Sequence, residues 1–506
     1  MARKGLLRKQ KLSRRQALST AGKIAIGVIA SGIVAGVAGY YAGGGGAPLK
    51  TTTIKEKETV TVTKTVTQTV SGPTVTISPT TTATSVSTTP TATIPTKVEL
   101  KFAHFYDPAL GGPFKVNHDY LLKVYKGFAE EFPNISIKET FYPWDQLDDK
   151  MMVAKKVGIP IDLCMASPQV WLKHREVGTF KDLTPYLKTL PKSLIDSIMW
   201  NPSWRFKATY PEGIPMNLHV SILVWRRDLF EEAGLDPDVG PSNIDDLIEF
   251  AKKTTKPEKG QYGVAMTLGD KIQNFQLVFV PFVWGYGGEI VDEEGKAVFA
   301  DSPEAVEAVK EINDLFNKYK VASKEESFIP DATEVWKRFL EGKHAINLSY
   351  FTGLLAWYES EGMWKGIAPP TEHPVYLKAR IGPWPLPTGY GWGHGGWHLC
   401  IHANSKHPDE AWEFIKYWIR PEVIADYPDM GIPAHRDLWN KPVYQTEPYR
   451  IMFQQAEKVK PLPTSKFYYE LCEQTKYMFY EIIIEGKPVK ETMKKYQDTF
   501  NRKYYG

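Results

Sequence analysis

Aromatic and polar side chains that could hold a small polar molecule lie where predicted strands end. The candidates after the first three strands are His104, Tyr106, Asp107, Trp144, Asp145 and Asp162. The whole chain is rich in rings, with 15 Trp, 26 Tyr and 23 Phe. Flat rings pack against apolar C–H faces, and carboxylates and amides bind hydroxyl groups. This combination of residue types is typical of a carbohydrate site.

The same residue types do not favour catalysis or metal binding. His394, His398 and His402 are spaced by four, but the glycines and the apolar strand between them disfavour a shared helix face. The sequence has no GxSxG, HExxH or P-loop spacing. The acidic pairs at 148–149 and 245–246 are typical of solvated helix faces. We therefore expect no catalytic residue, no metal and no cofactor.

Composition excludes several classes of protein. With 506 residues, of which 42% are apolar and 24% charged, the chain is neither disordered nor collagenous and predicts more than one domain. Nine of its 62 Lys and Arg lie in residues 1–50, which have no Asp or Glu, so the remainder holds 53 basic against 58 acidic residues. A nucleic-acid partner is therefore not expected. Three distant cysteines without a CxxC motif disfavour a disulfide scaffold or zinc cluster.

The N-terminus has the pattern of an export signal. Residues 1–23 form a basic targeting region, whereas residues 24–42 are uncharged and rich in Ile, Val, Ala and Gly. Nineteen helical residues span about 29 Å, close to the thickness of the bilayer core. Ser13–Leu18 resembles a twin-arginine signal with Ala17 in place of the usual Phe, and an ordinary secretory signal is the alternative. We predict a transmembrane anchor or a cleaved signal that places the remaining chain outside the cell.

A Thr-rich linker follows at residues 43–96. Residues 51–96 alone contain 20 Thr and almost no large side chain that could build a core. We interpret this segment as an extended stalk. Because a stalk is useful only when its front end stays in the membrane, it favours the retained anchor, on the extracellular face, over secretion.

From residue 97 onward, predicted strands and helices alternate. Val98, Leu100 and Phe102 alternate with other residues as in a half-buried strand, and a helix at 120–132 and a strand at 135–137 follow. Four more helix starts are predicted at 241–243, 302–304, 408 and 488. This alternation predicts α/β lobes with helices over the sheets, and the length suits two cores.

Short motifs in a fixed order carry a resemblance to a known family. They are Gly213–Asn217, Leu223–Leu235, Pro241 with Asp245–Leu247, Gly288–Ile290, Phe299–Ala305, Gly342–Ile346, Pro383–Pro387, Gly395–Trp397, Ser405–Trp412 and Gly431–Ala434. Their order and spacing across residues 97–506 resemble family 1 of the ABC-transporter extracellular solute-binding proteins, the maltose-binding, carbohydrate type.

The resemblance implies a two-lobed, periplasmic-binding-protein-like α/β fold of type II, with a ligand cleft between the lobes. It divides the chain into lobe 1 at 97–216 plus about 394–433, and lobe 2 at 217–393 plus about 434–506. His219 stands where a maltose-type protein has an acid. The further ligand contacts that the resemblance implies are Asn217, His219, Trp284, Tyr350, Trp397 and Tyr468.

The leading hypothesis is a monomeric, non-enzymatic surface protein that closes on a sugar or oligosaccharide and delivers it to the permease subunits of an ABC transporter. A surface-anchored glycoside hydrolase is one alternative, and it requires two carboxylates about 5 to 9.5 Å apart. An S-layer or adhesion protein is another, and it would show no enclosed cleft. Within the first class, a peptide, polyamine or anion ligand stays open.

Overall fold

The computed structural model describes residues 97–198, 212–394, 396–425, 432–463 and 465–506. The predicted targeting region 1–23, the apolar segment 24–42 and the Thr-rich linker 43–96 lie outside the described residues. Within the part that is described, no helix is both long and apolar enough to cross a membrane.

The strands in the described residues are β1 Val98–His104, β2 Ile135–Phe141, β3 Leu163–Ala166, β4 Ile214–Pro215, β5 Asn217–Val220, β6 Leu223–Arg226, β7 Tyr262–Ala265, β8 His344–Asn347, β9 Trp364–Lys365, β10 Val375–Tyr376, β11 Ala379–Gly382, β12 Gly391–His394, β13 His398–Ile401, β14 Ile432–Pro433 and β15 Val459–Pro461.

The α-helices in the same residues are α1 Gly112–Glu131, α2 Leu147–Val157, α3 Trp171–Val177, α4 Thr184–Leu187, α5 Lys192–Ile198, α6 Arg227–Glu232, α7 Ile244–Thr254, α8 Val280–Gly285, α9 Pro303–Asn317, α10 Lys324–Ser327, α11 Ala332–Leu340, α12 Leu355–Ser360, α13 Pro408–Trp418, α14 Pro421–Ile424, α15 Glu447–Glu457, α16 Tyr468–Phe479 and α17 Val489–Tyr504. Two π-helical turns, Asn274–Phe279 and Tyr480–Ile484, adjoin α8 and α16.

Lobe 1 is built on a five-stranded sheet of order β2-β1-β3-β13-β4. Strand β1 runs parallel to β2 and β3, whereas β13 is antiparallel to both β3 and β4. Strand β13 joins this sheet from more than 180 residues further along the chain than β4. Two separate chain segments therefore build this lobe.

Lobe 2 contains a four-stranded sheet of order β11-β6-β8-β7, in which β7 and β8 are parallel. A further sheet of order β14-β5-β12-β15 lies where the chain passes between the lobes, since β5 follows β4 directly and β12 precedes β13. The described residues therefore form a mixed α/β fold with two lobes.

The predicted helix starts are confirmed, and local capping explains them. Asn243 caps α7 by accepting a hydrogen bond from the backbone N–H of Asp246 at 2.9 Å, and Ser302 caps α9. Helix α13 begins at Pro408, and α17 follows Pro488. The helix predicted from residue 120 begins earlier, at Gly112, because Pro113 provides a preformed first turn.

Residues 435–444, which follow β14, contact the segments that follow α13 and α14. The imidazole of His435 is 2.7 Å from the carbonyl of Ile419, and the hydroxyl of Tyr444 donates to Ala425 at 3.1 Å. These partners follow α13 in lobe 1, so residues 435–444 pack beside lobe 1 before α15 enters lobe 2. The short helical turns in this stretch keep the chain on the surface of lobe 1.

Candidate ligand-binding cleft

A cleft of about 970 Å³, including its open mouth, lies between the lobes. Its walls come from the segments that follow β1, β2 and β3 in lobe 1, and from those that follow β7 and β8 in lobe 2. Strand order explains this arrangement, because the carboxyl ends of parallel strands meet at one edge of a sheet.

Aromatic rings form much of both walls. The rings of Phe105 and Trp397 lie 4.3 Å apart between centroids, and the indole of Trp336 is held by a 3.0 Å hydrogen bond to the carbonyl of Ser349. Such rings offer flat platforms that need no polar partner across their faces. The aromatic residues that line the cleft are Phe105, Tyr106, Phe114, Trp144, Trp336, Phe351, Trp397, Tyr468 and Tyr469.

Several buried polar atoms on the walls have no hydrogen-bond partner among the described residues. They are Asn117 Oδ1, Gln169 Oε1, Gln273 Oε1 and the hydroxyl of Tyr468. The amide of Asn117 is oriented by its own NH₂ group, which donates to the carbonyl of Pro113 at 2.9 Å. A buried polar atom without a partner costs about 1 to 3 kcal/mol. A ligand that carries hydroxyl groups would satisfy these atoms.

The cleft is acidic rather than basic. Asp270 and Asp331 line it, and none of the described lining residues is Lys or Arg. Burial raises the pKa of Asp270, although hydrogen bonds from the backbone N–H groups of Gln273, Ile272 and Ala332 oppose the rise. Anionic ligands would therefore meet repulsion without a compensating cation.

The crossover segments close the base of the cleft. Asn217 accepts a hydrogen bond from the backbone N–H of Trp397 at 3.0 Å, and its amide nitrogen lies 3.0 Å from Nε2 of His219. His219 lines the cleft and packs edge-on against Phe351 at 5.0 Å. Asn217 itself is fully buried, so it positions His219 and Trp397 from behind.

Five of the residues named from the sequence are brought together on the cleft walls. They are Tyr106, Trp144, His219, Trp397 and Tyr468. Tyr468 is fully buried, and burial raises the pKa of its hydroxyl well above the usual range, so that group remains a hydrogen-bond donor.

Three polar candidates of lobe 1 do not line the cleft because they support its loops. The His104 ring lies 3.0 Å from the carboxylate of Glu139, and burial lowers its pKa. Asp107 caps the short helical turn at Pro108–Leu110. Asp162 lies before β3 rather than after it, and its buried carboxylate accepts from the backbone N–H of Lys101 and the hydroxyl of Ser405. Asp145 also lies outside the lining and is exposed.

Two aromatic candidates of lobe 2 are packing residues. Trp284 lies within the buried helix α8, and Tyr350 packs between Tyr358 and Trp364 with centroid distances of 4.9 and 6.3 Å. Alternation explains the second case. Tyr350 points into the core, and its neighbour Phe351 reaches the cleft.

The sequence reasoning missed several cleft residues. Phe105 sits between two candidates after β1, and Gln169 follows β3, so their place after a strand was a usable signal. No such signal marks Asn117, Gln273 and Trp336. They lie on helices or on a long loop, and packing decides which of their side chains face the cleft.

Direct contacts join the two lobes beside the cleft. The hydroxyl of Tyr469, on α16, donates to Oδ2 of Asp148, on α2, at 3.1 Å. Gln169 donates to Gln276 at 3.4 Å. The solvated helix face predicted for residues 148–149 is wrong for Asp148, which is almost fully buried and also lies 2.8 Å from Nε2 of His174. The two lobes are therefore in direct contact beside the cleft.

No group of three or more His, Cys, Asp or Glu residues that could hold a metal ion occurs in the described part of the chain. His398 and His402 lie at or just after strand β13, and both are buried.

A two-lobed α/β fold with a ring-lined cleft between its lobes is the architecture of a solute-binding protein. The family model described as "Bacterial extracellular solute-binding protein" matches residues 117–425. The chain belongs to this family, as its sequence motifs indicate.

Individual relatives are distant. The arabinooligosaccharide-binding protein of Halalkalibacterium halodurans is 23% identical over 342 residues, which cover 63% of this chain and 69% of the relative. A probable amino-acid ABC transporter periplasmic-binding protein, y4oP, of Sinorhizobium fredii is 24% identical over 212 residues, or 42% of this chain and 44% of the relative. The match therefore spans less than half of that protein.

Among solved structures, an ABC-transporter solute-binding protein from Thermotoga lettingae, bound to α-D-tagatose, superposes with a TM-score of 0.68 at 22% identity. The alignment covers 80% of this chain and 99% of that protein. This similarity establishes the shared fold.

Proposed function

We propose that this protein is the extracellular binding component of an ABC importer and that its ligand is a neutral sugar or oligosaccharide. The observation that supports this proposal is the cleft, where the described residues supply nine aromatic side chains and four buried polar atoms without a partner among those residues. Rings suit the C–H faces of a sugar, and the polar atoms suit its hydroxyls. The acidic lining, whose described residues include no Lys or Arg, disfavours an anionic ligand.

The same cleft argues against the two alternatives. An adhesion protein has no need of a ring-lined cleft between two lobes. A glycoside hydrolase needs one carboxylic acid and one carboxylate free to act on the substrate. In the cleft, Asp270 accepts hydrogen bonds from the N–H groups of Ile272 and Gln273, and Asp331 caps α11. We therefore propose a protein without catalytic activity.

Loss of one cleft ring tests the site. A thermal-shift screen of sugars should first yield a binder, because a ligand at 100 times its Kd adds about 2.7 kcal/mol to stability. Trp397→Ala should then weaken the binding free energy of that sugar by about 1–3 kcal/mol, measured by calorimetry, because the aromatic ring beside Phe105 is removed. Tyr477→Ala, an exposed ring on α16 outside the cleft, should leave the affinity unchanged. Equal affinities in all three proteins would rule out stacking on Trp397.

We propose that the lobes close on the ligand. The closed, loaded protein then differs in shape from the open, empty one, and the permease can distinguish the two. A ligand that touches both lobes binds the closed form better, and this difference drives closure. The Tyr469–Asp148 hydrogen bond supports the proposal, because it can form only when the lobes meet.

Removal of that hydroxyl tests the closure proposal. Tyr469→Phe retains the ring but loses a bond worth about 1 kcal/mol, so the same sugar should bind roughly fivefold more weakly. Small-angle scattering should show a smaller radius of gyration when the unmodified protein is saturated with sugar. An unchanged scattering curve with a bound sugar would contradict closure.

We also propose that residues 24–42 hold the protein on the extracellular face of the cell membrane and that the Thr-rich linker spaces the lobes from it. The support is the uncharged 19-residue segment behind a basic N-terminus.

A further inference from the structure

One carboxylate joins two of the elements that build the lobe 1 wall of the cleft. Glu139 lies on β2 and is half-buried. Its Oε1 atom is 3.0 Å from Nε2 of His104 and accepts a hydrogen bond from the hydroxyl of Tyr125 at 2.9 Å. Its Oε2 atom is 3.1 Å from Nε2 of His118. His104 ends β1, whereas His118 and Tyr125 lie on α1. Glu139 therefore ties the end of β1 to helix α1.

Both imidazoles adjoin residues that line the cleft. His104 comes two residues before Tyr106, which lines the lobe 1 wall. His118 directly follows Asn117, whose buried amide oxygen has no hydrogen-bond partner among the described residues. Neither imidazole lines the cleft, and nor does Glu139. The carboxylate and its two histidines therefore support the wall from behind.

The contacts of His104 define which of its ring nitrogens carries the proton. The backbone N–H of Tyr106 donates to Nδ1 of His104 at 3.2 Å, so this nitrogen carries no hydrogen. The proton of the neutral ring is then on Nε2, which donates it to Glu139. Partial burial opposes ionisation of Glu139, but hydrogen bonds from the two imidazoles outweigh it and lower the carboxyl pKa to about 2. At neutral pH the carboxylate therefore favours the tautomer of His104 that also holds the backbone of Tyr106.

We propose that Glu139 is a positioning residue for ligand binding, which acts through the two imidazoles on the end of β1 and on α1. Through His104 it fixes the backbone of Tyr106. Through His118 it fixes the turn of α1 that carries Asn117. This inference rests on the proposed function and adds a residue that lies behind the cleft. Without the carboxylate, the N–H groups of two buried imidazoles lose their acceptor, and the two elements lose their common anchor.

Replacement of Glu139 by leucine tests this role on the full chain, because leucine is similar in size and cannot accept a hydrogen bond. In calorimetry, Glu139→Leu should bind the sugar found by the thermal-shift screen about tenfold more weakly. Glu139→Gln keeps one acceptor oxygen for one of the imidazoles, so its affinity should fall less, by about threefold. An unchanged affinity in Glu139→Leu would overturn the inference and leave the proposed function intact.

Glu359, on α12, supplies a matched control for loss of stability. It is also half-buried, and its carboxylate accepts three hydrogen bonds, from the backbone N–H groups of Gly366, Ile367 and Ala368. It does not line the cleft. Glu359→Leu should lower the melting temperature, as Glu139→Leu does, but it should keep the sugar affinity. Equal affinity losses in the two leucine variants would show a general effect of stability and would overturn the inference.

The tautomer of His104 gives a readout that needs no ligand. In nitrogen NMR of the unmodified protein with isotope-labelled histidine, the His104 ring should show a protonated Nε2 and an unprotonated Nδ1. Glu359→Leu should keep this pattern, and Glu139→Leu should give a mixture of tautomers. The same single tautomer in Glu139→Leu, or an Nδ1–H ring in the unmodified protein, would also overturn the inference. Failure of every sugar to bind the unmodified protein would instead refute the proposed function, and the role of Glu139 in binding with it.

Discussion

Replacing Asp148 by alanine is expected to lower the free energy of unfolding by about 3–5 kcal/mol, because three groups that contact this carboxylate would lose their hydrogen-bond partner, at about 1–3 kcal/mol for each buried group. The carboxylate is 1% exposed and accepts hydrogen bonds from the backbone N–H of Ser167 at 3.1 Å and from the hydroxyl of Tyr469 at 3.1 Å. It also lies 2.8 Å from Nε2 of His174, which is equally buried. Alanine would leave these groups without a partner where water cannot replace it.

The neighbouring residue supplies the control. Asp149 lies on the same helix but is exposed, and its carboxylate is 3.5 Å from the ammonium group of Lys173. Asp149→Ala should cost less than about 1 kcal/mol in chemical denaturation. If both variants unfold at the same denaturant concentration, the buried network does not hold the loop after β3 in place.

A weaker affinity is a second expected consequence of Asp148→Ala. Ser167 lines the cleft, and Tyr469 lines it from the other lobe, so the carboxylate joins both walls. The sugar affinity of the folded variant should therefore fall at least as far as that of Tyr469→Phe.

The second large effect is expected at Gly396, in the crossover before β13. Its φ is +58°, and a Cβ at this position would lie 1.5 Å from Oδ1 of Asn217. That oxygen accepts the backbone N–H of Trp397, so alanine must displace the side chain that positions both Trp397 and His219. Backbone strain and overpacking together should cost about 2–4 kcal/mol of stability.

Gly396 has no side chain to contact a ligand, but its substitution should still weaken sugar binding strongly. Because Trp397 and His219 both line the cleft, Gly396→Ala should lower the affinity for the sugar at least tenfold, measured by calorimetry. Gly158→Ala is the matched control, since Gly158 has a φ of +78° with no atom within 4 Å of the added Cβ. It should lose about 1 kcal/mol of stability and none of the affinity. Equal affinity losses in both variants would show that crowding at Asn217 is unimportant.

Much of the fold was accessible from sequence because it depends on local signals. Helices α7 and α9 begin where Asn243 and Ser302 can cap them, and the first strand follows from the alternation of Val98, Leu100 and Phe102. The family could be predicted from the sequence because its motifs occur in a fixed order along the chain. That order can be read without knowing which residues are in contact.

The lining of the cleft was predictable from the sequence only in part, for one physical reason. Residues after strand ends were expected near the cleft, and Tyr106 and Trp144 line it. Which side chain of a loop turns toward the cleft is decided by packing against distant segments. His104 turns to Glu139, so its neighbours Phe105 and Tyr106 face the cleft instead.

The facing wall of the cleft was decided by tertiary structure alone. Trp336, Gln273 and Tyr469 come from three segments far apart in the chain, and only the folding of lobe 2 brings them together. The same holds for the Asp148–Tyr469 bond, whose partners are 321 residues apart. Sequence patterns report the face that each helix or strand buries, because that face is set by spacing within the element. They do not report which elements meet across a cleft, because that depends on long-range packing between the lobes.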